Sequence, residues 1–201
     1  MTDFYFVRHG QTFANAGGLL QGTSDGEETY LNAAGKQQAR ELREKMDLSF
    51  ADRFVISPLQ RTQQTTEILN VELQRPVAVD ERLKEISYGA WDGQEKKKLR
   101  ESAPEAFETE FDEVSPDYVK FANDGEPFDS VVKRVGEFLA DTSELYPDDS
   151  IVVVTHGFTI KAAAINVLSL KDYLILPEPD NLRVTLIKVR TRHAYLSYYN
   201  R

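Results

Sequence analysis

The chain has 201 residues, a length that favours one sizeable domain over two independent cores. Its 24 basic and 33 acidic residues give a net charge of -9, opposite to that of a general nucleic-acid or anionic-membrane binder. The absence of cysteine excludes disulfides, thiolate zinc sites and cysteine nucleophiles. No apolar run approaches the roughly 18 residues of a spanning helix, and the N-terminus lacks the basic start of a signal peptide, so we expect a cytoplasmic protein.

The N-terminal part of the chain predicts a strand and then an amphipathic helix. Residues 3–7 form an apolar and aromatic run that ends at Arg8-His9-Gly10, as a buried strand that leads into a loop does. Residues 31–46 carry apolar or small side chains near helical spacing, and Asn32 is a suitable N-cap.

A second strand and helix follow. Residues 53–56 are apolar, and the Ser57-Pro58 pair after them is typical of an N-cap followed by proline at the first helical position. We therefore expect a helix from residue 58 to about residue 69. Residues 77–79 predict another short strand.

Residues 92–129 break the alternation of strands and helices. This segment contains 12 acidic and 5 basic residues, so it carries most of the net charge of the chain. We interpret it as an acidic surface insertion, partly helical from about residue 95 to 111, that packs over one end of the sheet. An amphipathic helix over residues 127–146 then resumes the pattern.

The C-terminal part repeats the arrangement of strand, turn and helix. Residues 150–154 are β-branched, Thr155-His156-Gly157 makes a turn, and residues 160–168 are apolar and helix-prone. Residues 182–189 and 195–199 predict a hairpin at a sheet edge, connected through Arg192-His193-Ala194. The sequence thus predicts one α/β domain over residues 1–201, with a mostly parallel sheet and helices on both faces.

Chemically active side chains follow the ends of several predicted strands. Arg8 and His9 follow the first strand, Arg61 follows the second, and His156 follows the strand over residues 150–154. Ligands of such sheets bind beyond the carboxyl ends of the strands, where helix N-termini also favour anions. Arginine binds phosphate in a bidentate fork, so we expect an anion site here within an acidic protein.

These residue types indicate phosphoryl transfer. His9 can attack phosphorus if its near ring nitrogen donates to a backbone carbonyl and its far nitrogen is neutral. His156 can stabilise the transferring group from the opposite side. Glu85, just after residues 77–79 and among apolar neighbours, can supply the proton for the leaving oxygen.

Structural interpretations stand beside these functional ones. Any single histidine or arginine at a strand end is more often a hydrogen-bonded structural residue, so the functional interpretation rests on all four residues occurring together.

A metal site is not expected, because neither H-E-x-x-H nor H-x-H spacing is present. Residues 96–100 form a basic run that is typical of a solvated helix face but could reach an anionic substrate. Trp91 and Tyr88 are interpreted as packing residues and His193 as a surface residue.

The chain resembles the histidine phosphatase superfamily, also called the phosphoglycerate mutase-like family. The resemblance lies in four motifs that stand in the family order and span most of the chain. They are Phe6-Val7-Arg8-His9-Gly10-Gln11-Thr12 with Asn15 and Gln21-Gly22 after it, Ser57-Pro58-Leu59-Gln60-Arg61-Thr62, Leu83-Lys84-Glu85-Ile86-Ser87-Tyr88-Gly89, and Thr155-His156-Gly157.

The resemblance implies a phosphohistidine mechanism without cofactor or metal. His9 would take the phosphoryl group, Glu85 would protonate the leaving oxygen, and Arg8, Arg61 and His156 would bind the phosphoryl oxygens. By the same carry-over, further substrate contacts are expected from Asn15, Gln21, Gly22 and Gly157. At the position after His156 the chain has glycine, and in this feature it resembles the mutase and small-phosphatase branch of the family.

Three functions remain open at this stage. The favoured one is a phosphatase acting on small phosphate monoesters, with sugar and aryl phosphates preferred because the acidic segment would repel polyanions. A cofactor-dependent phosphoglycerate mutase is the second, and a non-catalytic phospholigand-binding protein is the third. The sequence leaves open whether the chain is a monomer or a homodimer.

Overall fold

The computed structural model describes residues 1–190 and 193–201, and its centre is a six-stranded mixed sheet. The spatial order is β3-β2-β4-β1-β5-β6, in which the first four strands are parallel, β5 is antiparallel to β1, and β6 is antiparallel to β5. The strands are β1 Thr2–Arg8, β2 Arg53–Ile56, β3 Val77–Val79, β4 Ser150–Thr155, β5 Val184–Val189 and β6 Ala194–Tyr198. The mostly parallel α/β fold expected from the sequence is confirmed.

Helices cover both faces of this sheet. They are α1 Phe13–Ala16, α2 Ala33–Lys45, α3 Gln60–Asn70, α4 Lys96–Ser102, α5 Phe128–Leu145 and α6 Gly157–Leu168. Successive side chains of a strand point to opposite faces. In β4, Ile151 and Val153 therefore join the apolar cluster of α5 and α6, whereas Val152 and Val154 join that of α2 and α3.

The cap of α2 agrees with the prediction, because Asn32 accepts a hydrogen bond from the Gly35 N–H at 2.8 Å. The expected capping of α3 is wrong, since Ser57 and Pro58 both precede that helix. The Ser57 hydroxyl lies 2.7 Å from Nε2 of His156, so it is engaged across the sheet. The Asp25 carboxylate accepts from the first N–H of α3 in its place, at 2.8 Å.

In the segment over residues 95–111, which we expected to be partly helical, the α-helix is confined to the first half. The α4 helix ends at Ser102, two residues before Pro104, whose ring and missing N–H are incompatible with a continuing helix. The rest of the segment is irregular, with short 3₁₀ turns at Pro104–Ala106 and Pro116–Lys120. It packs through aromatic rings, as in the stack of Trp91 on Phe107, whose centroids are 5.8 Å apart.

The helices and the hairpin of the C-terminal half lie close to their predicted positions. Helix α5 matches the predicted span within a residue at each end, whereas α6 begins directly after His156, three residues earlier than expected. Strands β5 and β6 form the predicted hairpin at the sheet edge. Of the predicted connection, Arg192 lies outside the described residues. Among the described helices, none combines the length and apolarity needed to cross a bilayer.

Candidate active site

A cavity of about 400 Å³ opens at the carboxyl ends of the parallel strands. Arg8 and His9 enter its lining from the end of β1, Arg61 from the first turn of α3, and Glu85 from the loop after β3. The described residues that line it are Arg8, His9, Asn15, Gly18, Leu19, Leu20, Gln21, Gly22, Arg61, Glu85, Tyr88, Lys96, Phe111, Asp112, Glu113, Val114 and Glu178. Most of the predicted site residues therefore share one cavity.

His9 is buried, with 2% of its side chain exposed. Its Nδ1 lies 2.8 Å from the carbonyl oxygen of Gly10, and because a carbonyl only accepts, Nδ1 carries the proton and donates. Burial, reinforced by the positive charges of Arg61 and Arg8, holds the pKa of His9 well below its usual value. This is the arrangement that the sequence analysis required of a nucleophilic His9, and it leaves Nε2 without a proton.

Arg61 is fully buried, and the protein holds all three of its nitrogens. Its terminal nitrogens donate to the carbonyls of Ser24 at 2.8 Å and Gly22 at 2.7 Å. Its Nε donates to Nδ1 of His156 at 3.2 Å. Burial lowers the pKa of Arg61 to about 10, so the side chain stays cationic at neutral pH. One N–H on each terminal nitrogen is still free to bind an anion.

Arg8 carries a donor that the surrounding protein does not satisfy. Its NH1 donates to the carbonyl of Pro179 at 2.6 Å, and its NH2 lies 3.8 Å from a carboxylate oxygen of Glu178. Its Nε is buried and has no hydrogen-bond partner among the described residues. A buried unpaired donor is costly, and a phosphoryl oxygen in the adjoining cavity would satisfy it.

His156 lies behind the cavity wall and does not line it. Since Nδ1 accepts from Arg61, the ring proton is on Nε2, which donates to the Ser57 hydroxyl at 2.7 Å. Burial and the charge of Arg61 hold the pKa of His156 well below its usual value. The ring centroids of His9 and His156 are 5.3 Å apart. In this arrangement His156 fixes the orientation of Arg61, and its expected direct contact with a phosphoryl group stays a prediction.

The Glu85 carboxyl group is buried and held at the N-terminus of α6. One of its oxygens accepts from the N–H of Ile86 at 3.0 Å, and the other accepts from the N–H of Phe158 at 3.3 Å. The Thr159 hydroxyl lies 3.3 Å from the first oxygen. At the starts of α3 and α6, where we expected backbone N–H groups to bind the anion, one N–H of each helix is thus engaged by a carboxylate of the chain itself, Asp25 or Glu85.

The other predicted binding residues divide between the cavity and its supports. Asn15, Gln21 and Gly22 line the cavity. Asn15 also accepts from the Thr12 N–H in the capping box of α1, and Gln21 accepts from the Thr12 hydroxyl.

Gly157 lies outside the lining. A Cβ placed there would come within 2.1 Å of the Glu178 carboxylate and 3.1 Å of the Arg8 guanidinium. The absence of a side chain at this position therefore lets Arg8 and Glu178 approach the start of α6.

Several charged residues in or beside the cavity were missed by the sequence analysis. The carboxylates of Asp112, Glu113 and Glu178 line the outer cavity, and Lys161 is fully buried on α6 with its ammonium 2.6 Å from Glu113. Lys161 is the sole charged residue of α6, and that pattern could have singled it out. The carboxylates are dispersed in an acidic chain, so no sequence pattern distinguished them.

Comparisons with known proteins agree with this geometry. A family model described as the histidine phosphatase superfamily, branch 1, matches residues 4–201. The chain belongs to the histidine phosphatase superfamily. This membership confirms the family that the four sequence motifs indicated.

Some relatives are named phosphatases and others are named phosphoglycerate mutases. Over 162 residues the chain is 32% identical to the uncharacterized phosphatase PhoE of Bacillus subtilis, a match covering 81% of this chain and 75% of the relative. Over 173 residues it is 30% identical to the probable phosphoglycerate mutase GpmB of an Enterobacter species, covering 86% and 78%. The expected enzyme class, a phosphatase of this superfamily, is confirmed.

A solved structure supports the fold over the full length. Phosphoserine phosphatase from Entamoeba histolytica, in complex with 3-phosphoglyceric acid, matches this structure with a TM-score of 0.82 and 27% identity. The match covers 100% of this chain and 98% of the Entamoeba chain. The sheet and its flanking helices are therefore those of the superfamily.

Proposed function

We propose that this protein hydrolyses small phosphate monoesters through a phosphohistidine intermediate on His9. The observation that carries the proposal is the bond from His9 Nδ1 to the Gly10 carbonyl, together with the depressed pKa of the ring. They leave Nε2 neutral and unprotonated at physiological pH, in a cavity that also holds Arg8 and Arg61.

In the first step the ester phosphate binds between the arginines. The unpaired Nε of Arg8 and the free N–H groups of Arg61 donate to phosphoryl oxygens, and their charge stabilises the transition state. His9 Nε2 forms the bond to phosphorus while the bond from phosphorus to the ester oxygen breaks. Glu85, which must enter this step carrying a proton, gives it to that oxygen, so the leaving group departs as an alcohol.

In the second step water replaces the alcohol. The Glu85 carboxylate takes a proton from the water as its oxygen attacks phosphorus, and the bond from phosphorus to Nε2 breaks. Inorganic phosphate leaves, and both His9 and Glu85 return to their starting protonation states. In this scheme His156 acts as a positioning residue that holds the Arg61 guanidinium.

A phosphoglycerate mutase is the second candidate, favoured by the similarity to GpmB. A mutase must accept a carboxylated substrate and a bisphosphorylated one. The cavity instead presents the carboxylates of Asp112, Glu113 and Glu178, and Lys96, the cation of its lining outside the arginine pair, is already paired with Asp112, so a second anionic group would find no unpaired cation there among the described residues. Hydrolysis of substrates with less charge is therefore the better-supported function.

The test is phosphate release from a panel of monoesters, including 3-phosphoglycerate with and without 2,3-bisphosphoglycerate, with a metal chelator present. We expect wild-type hydrolysis and an acid-labile phosphoenzyme, and a loss of both by at least about 10⁴-fold in His9→Ala. Formation of 2-phosphoglycerate in the same tubes would instead identify a mutase. Binding of phosphate esters with no turnover above that of His9→Ala would identify a non-catalytic protein.

Metal independence and a cytoplasmic location belong to the same proposal. Hydrolysis that is unchanged after dialysis against chelator would support the first, because the scheme takes every proton and charge from side chains. Fractionation of cells that produce the protein natively would test the second, with the protein expected in the cytosolic fraction.

A further inference from the structure

The mouth of the cavity is formed on one side by residues 107–114, which we call the flap. Phe107 and Val114 form an isolated antiparallel bridge at its base, and the Glu108 N–H donates to the Glu113 carbonyl at 2.8 Å. At its tip, the Glu108 carboxylate accepts from the Phe111 N–H at 2.7 Å. The flap is therefore a turn closed by its own hydrogen bonds, with Phe111 at its tip.

The base of the flap is anchored to the scaffold that carries the catalytic residues. The ammonium of Lys161 lies 2.6 Å from Glu113, and the two side chains are only 1% and 12% exposed. Lys161 stands on α6, which begins directly after His156. The stack of Phe107 on Trp91 holds the same base from the other side. These contacts present the flap tip at a defined place beside the phosphoryl site.

The tip places an apolar ring in the lining of the cavity that holds His9, Arg8 and Arg61. Phe111 is 37% exposed and yet lines the cavity, together with the half-buried side chain of Leu19. An aromatic side chain that is held at a cavity mouth without being packed into the core leaves apolar surface exposed to water. An apolar part of a ligand that covered this surface would bind favourably.

The charges around the tip select against a second anionic group. Lys96, the cation of the lining outside the arginine pair, is 3.3 Å from the Asp112 carboxylate and so is already neutralised. Glu113 and Glu178 add two more carboxylates to the lining, paired with Lys161 at 2.6 Å and with Arg8 at 3.8 Å. A leaving group with a carboxylate or second phosphate would therefore find no unpaired cation among the described residues of this wall, whereas an uncharged apolar group needs none.

We propose that the flap forms a leaving-group subsite, that Phe111 is its specificity-determining residue, and that it selects phosphate monoesters whose alcohol is uncharged and apolar. This inference rests on the proposed phosphatase function and names its substrate class. Phe111 contacts the carbon chain of the alcohol, and the acidic wall excludes alcohols that carry a carboxylate.

The test uses primary n-alkyl phosphates from ethyl to hexyl, in which the leaving-group pKa is nearly constant while the apolar surface grows. We expect kcat/KM to rise by about tenfold along the series in the wild type, and by less than about threefold in Phe111→Ala. Phe13→Ala is the matched control, because Phe13 is 58% exposed and lies outside the cavity lining. It should keep the wild-type rise.

Charge selection is tested with the phosphate ester of 6-hydroxyhexanoic acid against hexyl phosphate. We expect a kcat/KM at least about tenfold lower for the carboxylated ester, with a difference that shrinks as salt is raised. Equal values for the two esters, a wild-type series without chain-length dependence, or a full rise in Phe111→Ala would each overturn the inference.

Binding measurements test the subsite independently of the proposed catalytic function. Calorimetry on the His9→Ala variant with n-alkylphosphonates, whose carbon to phosphorus bond resists hydrolysis, should show affinity rising with chain length. That rise without wild-type turnover would support the subsite and defeat the phosphatase proposal. Turnover of all the esters with no chain-length effect on rate or affinity would do the reverse.

Discussion

The two sides of the cavity are built in different ways. On the inner side, His9, Arg61 and His156 stand at strand ends or in the first turn of the following helix, are at most 2% exposed, and are bonded to backbone or to one another. On the outer side, the flap is irregular, carries an exposed aromatic ring and is held by the ion pair of Glu113 with Lys161 and by the stack of Phe107 on Trp91. In the proposed scheme, the chemistry, which needs invariant geometry, thus depends on the sheet, and selection of the leaving group depends on a loop that can vary.

The largest effect that separates the two sides is expected from Glu85→Gln. The amide cannot transfer a proton, so hydrolysis of alkyl phosphates should slow by about 10²- to 10⁴-fold. Aryl phosphates with a good leaving group need little protonation and should slow by less than about tenfold. Phosphate release from the two substrate types, measured in the same variant, gives the comparison.

The flap variant provides the contrast for that experiment. In Phe111→Ala, the loss of kcat/KM for alkyl and aryl phosphates should follow the apolar surface of each substrate and not its leaving-group pKa. Equal losses on alkyl and aryl phosphates in Glu85→Gln would refute the role of Glu85 as the proton donor.

A large effect on stability is expected at the base of the flap. Lys161→Met leaves the buried Glu113 carboxylate without its cation, and breaking a buried pair in this way costs about 3–5 kcal/mol. Denaturant unfolding measures the loss. Lys98→Met is the matched control, because its ion pair with Glu95 is exposed and is worth at most about 1 kcal/mol.

The double variant Lys161→Met/Glu113→Leu separates stability from function. Apolar replacement of both partners should recover most of the lost stability. If the pair also anchors the flap, the rise of kcat/KM with alkyl chain length should be smaller in the double variant than in the wild type, even though stability is recovered. A single variant as stable as the wild type would show that Lys161 does not support this side of the cavity.

A smaller, graded effect is expected from pH on the inner side. Both His9 and His156 have folded-state pKa values well below about 6.5, the usual value for an unfolded chain. The unfolded state therefore binds more protons as pH falls below that value, and stability that is complete above about pH 7 is lost on acidification. Through these two groups, the free energy of unfolding should fall by up to about 4 kcal/mol between pH 7.5 and 5.

Unfolding free energies measured across this range check the assignment. His9→Asn and His156→Asn should each remove about half of the difference. His193→Asn is the control, because this exposed residue should leave the pH dependence unchanged. A wild-type pH profile that neither buried substitution alters would show that the two imidazoles are not the groups responsible.

The sequence was a good guide wherever one local signal decided the structure. The apolar runs before Arg8 and before His156 predicted strands, because a parallel strand buried on both faces needs continuous apolar residues. Asn32 predicted a helix start, because its side chain caps N–H groups only three residues away. The capping of α3 failed because its carboxylate comes from Asp25, a long-range partner.

The sequence by itself determined the α/β sheet and its helices, the family, and the four motifs that carry the candidate chemistry. These follow from hydrophobic periodicity and from the short-range spacing of residues at strand ends. Only the tertiary structure decided that His156 lies behind Arg61, that Lys161 holds Glu113, and that Phe111 stands at the cavity mouth. Each of these contacts joins residues 48 or more positions apart or depends on an irregular loop, where no local pattern restricts the backbone.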